Sequence, residues 1–201
     1  MGENGGCMRT LIRVARKACR IVAVATVVVP GILCADEDPN AGPAEVEVTA
    51  ASFGCITEMT PVRHFYVANL LGDLEATLAV ANSPAGGRYP PGSVVQLVPT
   101  EVMVKHGEGW NAATRDWEFF ELQVSDIGSR IVGRGFVDVV NRFGGNCFGC
   151  HVRARPEWDL ICEKDHGCDP VPLPADLILE LQRTDSRCPA ASIEEPPGER
   201  S

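Results

Sequence analysis

The stretch Trp117-Glu118-Phe119-Phe120-Glu121-Leu122-Gln123-Val124 alternates between two sets of side chains and predicts a β-strand. Because successive side chains of a strand point to opposite faces of a sheet, this strand has two distinct sides. One side carries Phe120, Leu122 and Val124, and the other carries Trp117, Phe119, Glu121 and Gln123.

Similar strand patterns lie on either side of this stretch. Ser93–Val98 is rich in β-branched residues, Glu101–Lys105 alternates, and Arg130–Arg134 follows a turn at Asp126-Ile127-Gly128. The connections are short enough for an antiparallel meander. The sequence therefore predicts an α+β fold, a single domain with an antiparallel β-sheet and flanking helices.

Two helices are predicted at the ends of this sheet. Thr60-Pro61 resembles a helix start, and apolar residues then recur at helical spacing until Asn82-Ser83-Pro84, which predicts a helix of about 20 residues. A shorter closing helix is predicted after Pro174. The apolar positions are Val67, Leu70, Leu71, Leu74 and Leu78 in the first helix, and Leu177, Ile178 and Leu181 in the second.

The pentad Cys147-Phe148-Gly149-Cys150-His151 follows the predicted sheet and is the attachment signature of a c-type haem. Two thiols at this spacing form thioether bonds to the vinyl groups of one porphyrin, and the adjacent imidazole becomes the proximal ligand of the iron. We therefore predict one covalent haem c per chain, with His151 as the metal ligand and Cys147 and Cys150 as cofactor-binding residues.

Two other interpretations of the pentad stay open. The cysteines could form a redox dithiol, although no predicted strand leads into them as in a thioredoxin-like motif. They could also belong to a zinc knot, which would leave His151 without a role. The four cysteines of that knot would be Cys147, Cys150, Cys162 and Cys168.

The N-terminal segment predicts export. A basic region is followed by an apolar run over Ile21–Leu33 and an acidic stretch at Asp36-Glu37-Asp38, the order found in a secretory signal peptide. The apolar run is short for a membrane span, although an uncleaved anchor and lipidation at Cys34 stay open. The predicted organisation is a signal peptide over 1–35, a loose leader over 36–58, a haem-binding domain over 59–188 and a disordered tail over 189–201. The predicted location is the periplasm.

Removal of residues 1–35 leaves six of the nine cysteines. Two are assigned to the haem, and an even remainder in an oxidising compartment suggests two disulfides. Cys162 and Cys168 bracket a short polar loop and are one candidate pair. Cys55 and Cys188 would then be the other, although three connectivities are open from the sequence.

The charge of the chain limits its partners. Residues 1–35 carry five basic side chains and one acidic one, so their removal changes the formal net charge of −9 to about −13. Such an acidic protein repels nucleic acid and anionic membranes, and no nucleic-acid partner is predicted. A basic redox partner protein would be compatible with this charge.

The chain resembles the P-460 cytochromes and their relatives, the cytochromes c′-beta, over most of residues 60–165. The residues that carry this resemblance are Val102-Met103-Val104-Lys105, then Asp116-Trp117-Glu118-Phe119-Phe120, then the late pentad. The resemblance implies a mostly antiparallel sheet with flanking helices, often in a homodimer. It also implies an iron bound by His151 whose other side is open to a small gaseous or nitrogen-oxide ligand.

The resemblance also singles out Lys105. In the P-460 branch a lysine is cross-linked to the porphyrin and the enzyme oxidises hydroxylamine, whereas the c′-beta branch binds gases such as nitric oxide. Lys105 matches the cross-linking lysine and shares a predicted strand face with Met103. If Pro91–Gln96 is aligned with the turn before that strand instead, Leu97 takes the position.

No residue stands out as a sixth iron ligand, and the acid–base group that an enzyme would need is also undecided. The candidate ligands are Met59, Met103, His64, His106 and His166. Glu118 and Glu121 are candidate acids on opposite strand faces, and the aromatic residues that could cover the iron are Phe119, Phe120 and Phe143.

Three hypotheses of function result. The first is an exported mono-haem c-type cytochrome for nitrogen-oxide binding or one-electron transfer. The second is an enzyme that oxidises hydroxylamine or nitric oxide at a lysine-cross-linked haem. The third is a non-haem protein in which the pentad is a disulfide or metal clip.

Overall fold

The computed structural model describes residues 45–189 of the 201-residue chain. The predicted signal peptide, residues 36–44 of the predicted leader and nearly all of the predicted tail lie outside these residues. Within residues 45–189, no helix is both long enough and apolar enough to cross a membrane.

The fold is a single α+β domain built on one six-stranded antiparallel sheet with strand order β1-β2-β3-β4-β5-β6. Every strand pairs with the next strand along the chain, which confirms the predicted meander and fold class. The strands are β1 Thr60–Val62, β2 Phe65–Asn69, β3 Ser93–Val98, β4 Glu101–Lys105, β5 Trp117–Ser125 and β6 Gly128–Gly135; the helices are α1 Leu74–Ala81, α2 Cys147–His151 and α3 Ala175–Arg183.

The long helix predicted from Thr60 is wrong in its first half. A tight turn with Arg63 in the left-handed region (φ 53°) joins β1 to β2, and Phe65 and Val67 point into the core with strand periodicity. The helix starts only at Leu74, where the Asp73 carboxylate accepts a hydrogen bond from Ala76 N. Apolar residues at helical spacing therefore spread over a strand, a turn and a two-turn helix. The closing helix after Pro174 is confirmed as α3.

The sheet has two buried faces with different covers. We define the pentad face as the one that carries Met103, Lys105, Trp117 and Phe119; the opposite face carries Val102, Val104, Glu118 and Phe120. Cys147 and Phe148 of α2, together with apolar residues of α1, pack against the core of the pentad face. The core of the opposite face includes Val46, Val48 and Phe53.

The sequence predicts a loose leader over residues 36–58, and residues 45–58 differ from that prediction. Val46, Val48 and Phe53 are buried, and the rings of Phe53 and Phe120 lie 5.2 Å apart. The alanine- and proline-rich composition suggested disorder, but alternate apolar residues of this segment cover the opposite face of the sheet. The folded domain therefore includes residues 45–58.

Candidate functional site

The pentad forms the short helix α2, and Asn146 holds its start. The Asn146 side-chain oxygen accepts a hydrogen bond from Gly149 N at 2.6 Å, and its amide donates to Val137 O at 2.8 Å. A Cβ at position 149 would lie 2.9 Å from that oxygen, which explains why glycine stands between the two cysteines. The helical turn places Cys147 and Cys150 one above the other on the same side of α2.

Neither Cys147 nor Cys150 is disulfide-bonded to another cysteine of residues 45–189. Cys150 is exposed, whereas Cys147 is half-buried against the pentad-face core. Burial raises the pKa of Cys147 to about 11, with smaller contributions from Glu101 and Glu121. A reactive redox dithiol needs a thiol whose pKa is lowered, so this environment disfavours the dithiol interpretation.

The other four cysteines form disulfides between Cys55 and Cys188 and between Cys162 and Cys168. Both candidate pairs are confirmed. The zinc knot is wrong, because two of its four proposed ligands are bonded to each other. Among residues 45–189, no group of three or more Cys, His, Asp or Glu side chains is arranged to hold a metal ion.

His151, the last residue of α2, lies half-buried over the pentad face, with its ring 5.5 Å from that of Phe119. Its Nδ1 is 2.7 Å from Leu160 O. Because a carbonyl oxygen only accepts, Nδ1 carries the proton and the lone pair is on Nε2. Burial lowers the pKa of His151 and favours the neutral ring. Nε2 makes no hydrogen bond within the described residues.

The Leu160 carbonyl belongs to an unusual turn. Asp159 and Leu160 are both in the left-handed region, with φ of 48° and 67°, although neither is glycine. Trp117 Nε1 donates to Asp159 O at 2.7 Å, and Tyr89 N donates to Asp159 Oδ2 at 2.9 Å. Sequence reasoning missed Asp159, because no motif marks it and its partners are 42 and 70 residues away in the chain.

Lys105 reaches the same turn. The prediction that Lys105 shares a strand face with Met103 agrees with the strand register, and that face is the one against which α2 packs. Lys105 is 1% exposed, and its ammonium donates to Asp159 Oδ2 at 2.7 Å and to Arg115 O at 2.6 Å. Burial lowers the pKa of Lys105, and the nearby Asp159 carboxylate opposes that effect. Leu97, the alternative position, is partly buried against the same core.

The candidate sixth ligands are dispersed. Met103 is buried in the cluster that contacts Cys147, whereas Met59 packs against the core of the opposite face. Both ring nitrogens of His106 are hydrogen-bonded, to Val46 N and to Glu118. His64 lies near Glu163 at the surface, and the His166 ring stacks on Trp158 at 3.7 Å.

The candidate acids separate as the alternation predicted. Glu118 is on the opposite face, bound to His106 and Arg134. Glu121 is on the same side of β5 as Phe119, and one of its oxygens, Oε2, is buried without a partner among the described residues. Glu101, which sequence reasoning missed, is paired with Glu121 across β4 and β5.

A cavity of about 420 Å³ lies between Glu121 and the segment that leads into α2; Val132, Val140, Asn141 and Arg142 are among its lining residues.

Exposed apolar side chains lie in and beside the segment that leads into α2. Val137 O and Val139 O accept hydrogen bonds from Asn146 and Cys147, so their neighbours lie beside α2. The exposed apolar residues are Val137, Val140, Phe143 and Val152. Of the predicted aromatic cover, Phe119 is on the pentad face, Phe120 is on the opposite face and Phe143 is at the surface.

The arrangement suits a flat apolar group bound through sulfur and nitrogen. Two thiols share one side of a helical turn, a neutral imidazole has its Nε2 lone pair available, and exposed apolar side chains lie alongside. The donor set therefore fits a haem c. Comparison of the chain with protein-family models, with curated proteins and with solved structures finds no match.

Proposed function

We propose that this protein is an exported mono-haem c-type cytochrome that binds a nitrogen-oxide ligand such as nitric oxide or transfers single electrons. The main support is the arrangement around His151. This histidine follows two thiols that have no disulfide partner in residues 45–189, and its Nδ1 is hydrogen-bonded to Leu160 O. That bond orients the ring and leaves Nε2 as the proposed iron-ligating nitrogen, because in many metal sites the other ring nitrogen of a ligating histidine donates to a carbonyl or carboxylate oxygen.

In this proposal Cys147 and Cys150 would hold the haem by thioether bonds and His151 would bind its iron. When bound, the haem would supply a one-electron redox centre and a coordination site for a small ligand. The chain's own contribution is orientation and the exclusion of water. Met103 and Phe119 supply apolar surface beside the pentad, and Phe148 of the pentad packs against the same core.

Export to the periplasm is supported by the cysteines as well as by the N-terminal pattern. Two disulfides persist in oxidising compartments and are rare in the cytosol. The same compartment is where c-type haem would be attached to the remaining two thiols.

The rival proposal is hydroxylamine oxidation at a haem cross-linked to Lys105. The place of Lys105 on the pentad face favours it, but the Lys105 ammonium is bonded to the Asp159 carboxylate. A cross-link would need the neutral amine and would leave that buried carboxylate without its cation. We therefore rank ligand binding or electron transfer above this enzyme activity.

The test is expression of the full chain with a cytochrome c maturation system, followed by denaturing electrophoresis and a haem-peroxidase stain. The wild-type band is expected to stain, and its intact mass is expected to include one haem. The Cys147→Ser/Cys150→Ser variant should lose both signals. The Cys162→Ser/Cys168→Ser variant is the matched control and should keep the stain.

An unstained wild-type band of apoprotein mass contradicts the proposal. The remaining hypothesis would then be a non-haem protein whose pentad is a disulfide or metal clip. The reduced absorption spectrum then separates the two haem proposals. An ordinary c-type Soret band supports the cytochrome, and a strongly red-shifted band that Lys105→Met removes supports the cross-linked enzyme.

A further inference from the structure

The Asp159–Leu160 turn is the structural element that connects Lys105 to the histidine. Two consecutive non-glycine residues in the left-handed region are uncommon, and such strained backbone persists only where surrounding contacts enforce it. Leu160, whose carbonyl contacts His151 Nδ1, is the second of these two residues, so a change of the turn's conformation would move that carbonyl. The contacts that hold the turn are therefore the ones to examine.

Three hydrogen-bond donors hold the Asp159–Leu160 turn in this conformation, and all three bind Asp159. Lys105 Nζ and Tyr89 N share the carboxylate oxygen Oδ2, and Trp117 Nε1 binds the main-chain oxygen. The Lys105 ammonium also lies 5.0 Å from the centre of the Trp117 ring. Asp159 and Lys105 are 4% and 1% exposed, so this ion pair is shielded from solvent and from salt.

We propose that Lys105 is a positioning residue for the proximal histidine. Through Asp159 it keeps the Leu160 carbonyl against His151 Nδ1 and so raises the electron density on Nε2. This inference rests on the proposed haem function, and it assigns Lys105 a role that needs no covalent bond to the porphyrin.

The chemistry predicts the direction of the effect. A histidine that donates a strong hydrogen bond from Nδ1 is a more basic ligand and stabilises the ferric iron more than the ferrous iron. If the turn relaxes, the Nδ1 hydrogen bond weakens and the ligand becomes less basic. The midpoint potential then shifts to a more positive value.

The variants are Lys105→Met and Asp159→Asn, and the control is Arg187→Met. Asparagine tolerates the left-handed conformation and can still accept the Tyr89 hydrogen bond, so Asp159→Asn removes the charge with little change of shape. Arg187 forms an equally buried ion pair with Asp185 at 2.7 Å, next to the Cys55–Cys188 disulfide. Its loss also leaves a buried carboxylate unpaired, but not in the turn that contacts His151.

The first measurement is the midpoint potential of the haem-loaded full chain. Both Lys105→Met and Asp159→Asn are expected to shift it to a more positive value and to lower the iron–histidine stretching frequency, while Arg187→Met leaves both unchanged. A wild-type potential in Asp159→Asn, or an equal shift in Arg187→Met, overturns the inference. A red-shifted Soret band that Lys105→Met restores to normal also overturns it, because Lys105 is then cross-linked.

The second measurement uses the haem-free chain and separates the two proposals. Nitrogen NMR of His151 should show the Nδ1-protonated tautomer in the wild type and a mixture of tautomers in Asp159→Asn. If the chain takes up no haem, the proposed function fails while this result still decides the positioning role. An unchanged tautomer in Asp159→Asn overturns that role, and Asp159→Asn serves if Lys105→Met does not fold.

Discussion

His151 lies half-buried on the pentad face and His106 lies buried on the opposite face of the same sheet, and their rings are hydrogen-bonded in different ways. His106 accepts a hydrogen bond from Val46 N at Nδ1, and its Nε2 is 3.0 Å from Glu118. Its proton is therefore on Nε2, and both ring nitrogens are used. His151 has its proton on Nδ1, bound to Leu160 O.

This difference separates a structural histidine from the histidine that we propose as the haem ligand. His106 links the N-terminal segment to Glu118, and stacking of its ring on Trp110 at 3.6 Å encloses it further. His151 is oriented by one bond and has Nε2 available for a metal. Among the described residues, the hydrogen-bond partners make His151, and not His106, the candidate for the proposed iron ligand.

The two disulfides allow the two sides of the molecule to be compared in stability. Removal of a disulfide is where we expect the largest change in the free energy of unfolding. Cys55–Cys188 spans 133 residues and links the segment behind the opposite face to the segment that follows α3, whereas Cys162–Cys168 spans 6 residues near the pentad. In the chain-entropy model, replacing both cysteines by alanine costs about 5 kcal/mol for the long loop and about 2 kcal/mol for the short one.

Urea unfolding of the haem-free variants measures both free energies. The wild-type chain with both disulfides intact is the reference. Equal losses in the two variants would mean that the long disulfide constrains the unfolded chain no more than the short one.

Phe119 and Phe120 offer a matched pair on the two faces. Each is 1% exposed on β5, one facing His151 and the other facing Phe53. Either alanine variant is expected to lose about 3–5 kcal/mol of unfolding free energy, because each leaves a cavity. Only Phe119→Ala is expected to change the absorption spectrum of the haem-loaded protein. The prediction is contradicted if Phe120→Ala changes that spectrum to the same extent.

His106→Phe tests the structural histidine. The variant leaves Val46 N without its acceptor and removes one hydrogen bond from Glu118, so a loss of about 1–3 kcal/mol is expected. The haem stain and spectrum should stay as in the wild type, in contrast to His151→Phe, which removes the proposed axial ligand. Loss of the haem spectrum in His106→Phe would show that His106 is not merely structural.

The smallest expected effect concerns two glutamates of β5, Glu118 and Glu121. Their contributions to the free energy of unfolding are expected to change in opposite directions with pH. Burial raises the pKa of Glu118, but hydrogen bonds from His106 and Arg134 outweigh this, and the net pKa is lowered. Burial raises the pKa of Glu121, and Arg142 offsets this only in part. Glu118 therefore stabilises the fold above its unfolded pKa and loses this contribution as the pH falls through its folded pKa. Glu121 becomes less favourable for folding as the pH rises from its ordinary pKa to its raised one.

Unfolding free energies of haem-free Glu118→Gln and Glu121→Gln over the acid range test these signs. The advantage of the wild type over Glu118→Gln should shrink as the pH falls. The wild type should lose stability relative to Glu121→Gln as the pH rises through the window just above 4.5. Slopes of the same sign would contradict the assignment of the two carboxylates to different environments.

Strands with strict alternation were predictable, whereas the segment around β2 was not. β3 and β4 have the predicted bounds, and β5 and β6 differ only at their ends, because period-two patterns bounded by turns have few alternative structures. Apolar residues at helical spacing around Val67 and Leu70 predicted a helix where the structure has strand β2. There, the pairing of Val67 with Val95 outweighs local helix preference.

The sequence by itself determined that two thiols and an imidazole lie together in the pentad, and it predicted a two-faced antiparallel sheet, because both depend on residues close together in the chain. It also suggested the two cysteine pairs. Only the tertiary structure decided that Lys105 and Trp117 bind Asp159, that Leu160 contacts His151, and that residues 45–58 are folded. Apart from the Leu160–His151 contact, these contacts join residues far apart in the chain, such as Val46 and His106 at a separation of 60 positions and Lys105 and Asp159 at 54, and their formation depends on packing that no local pattern records.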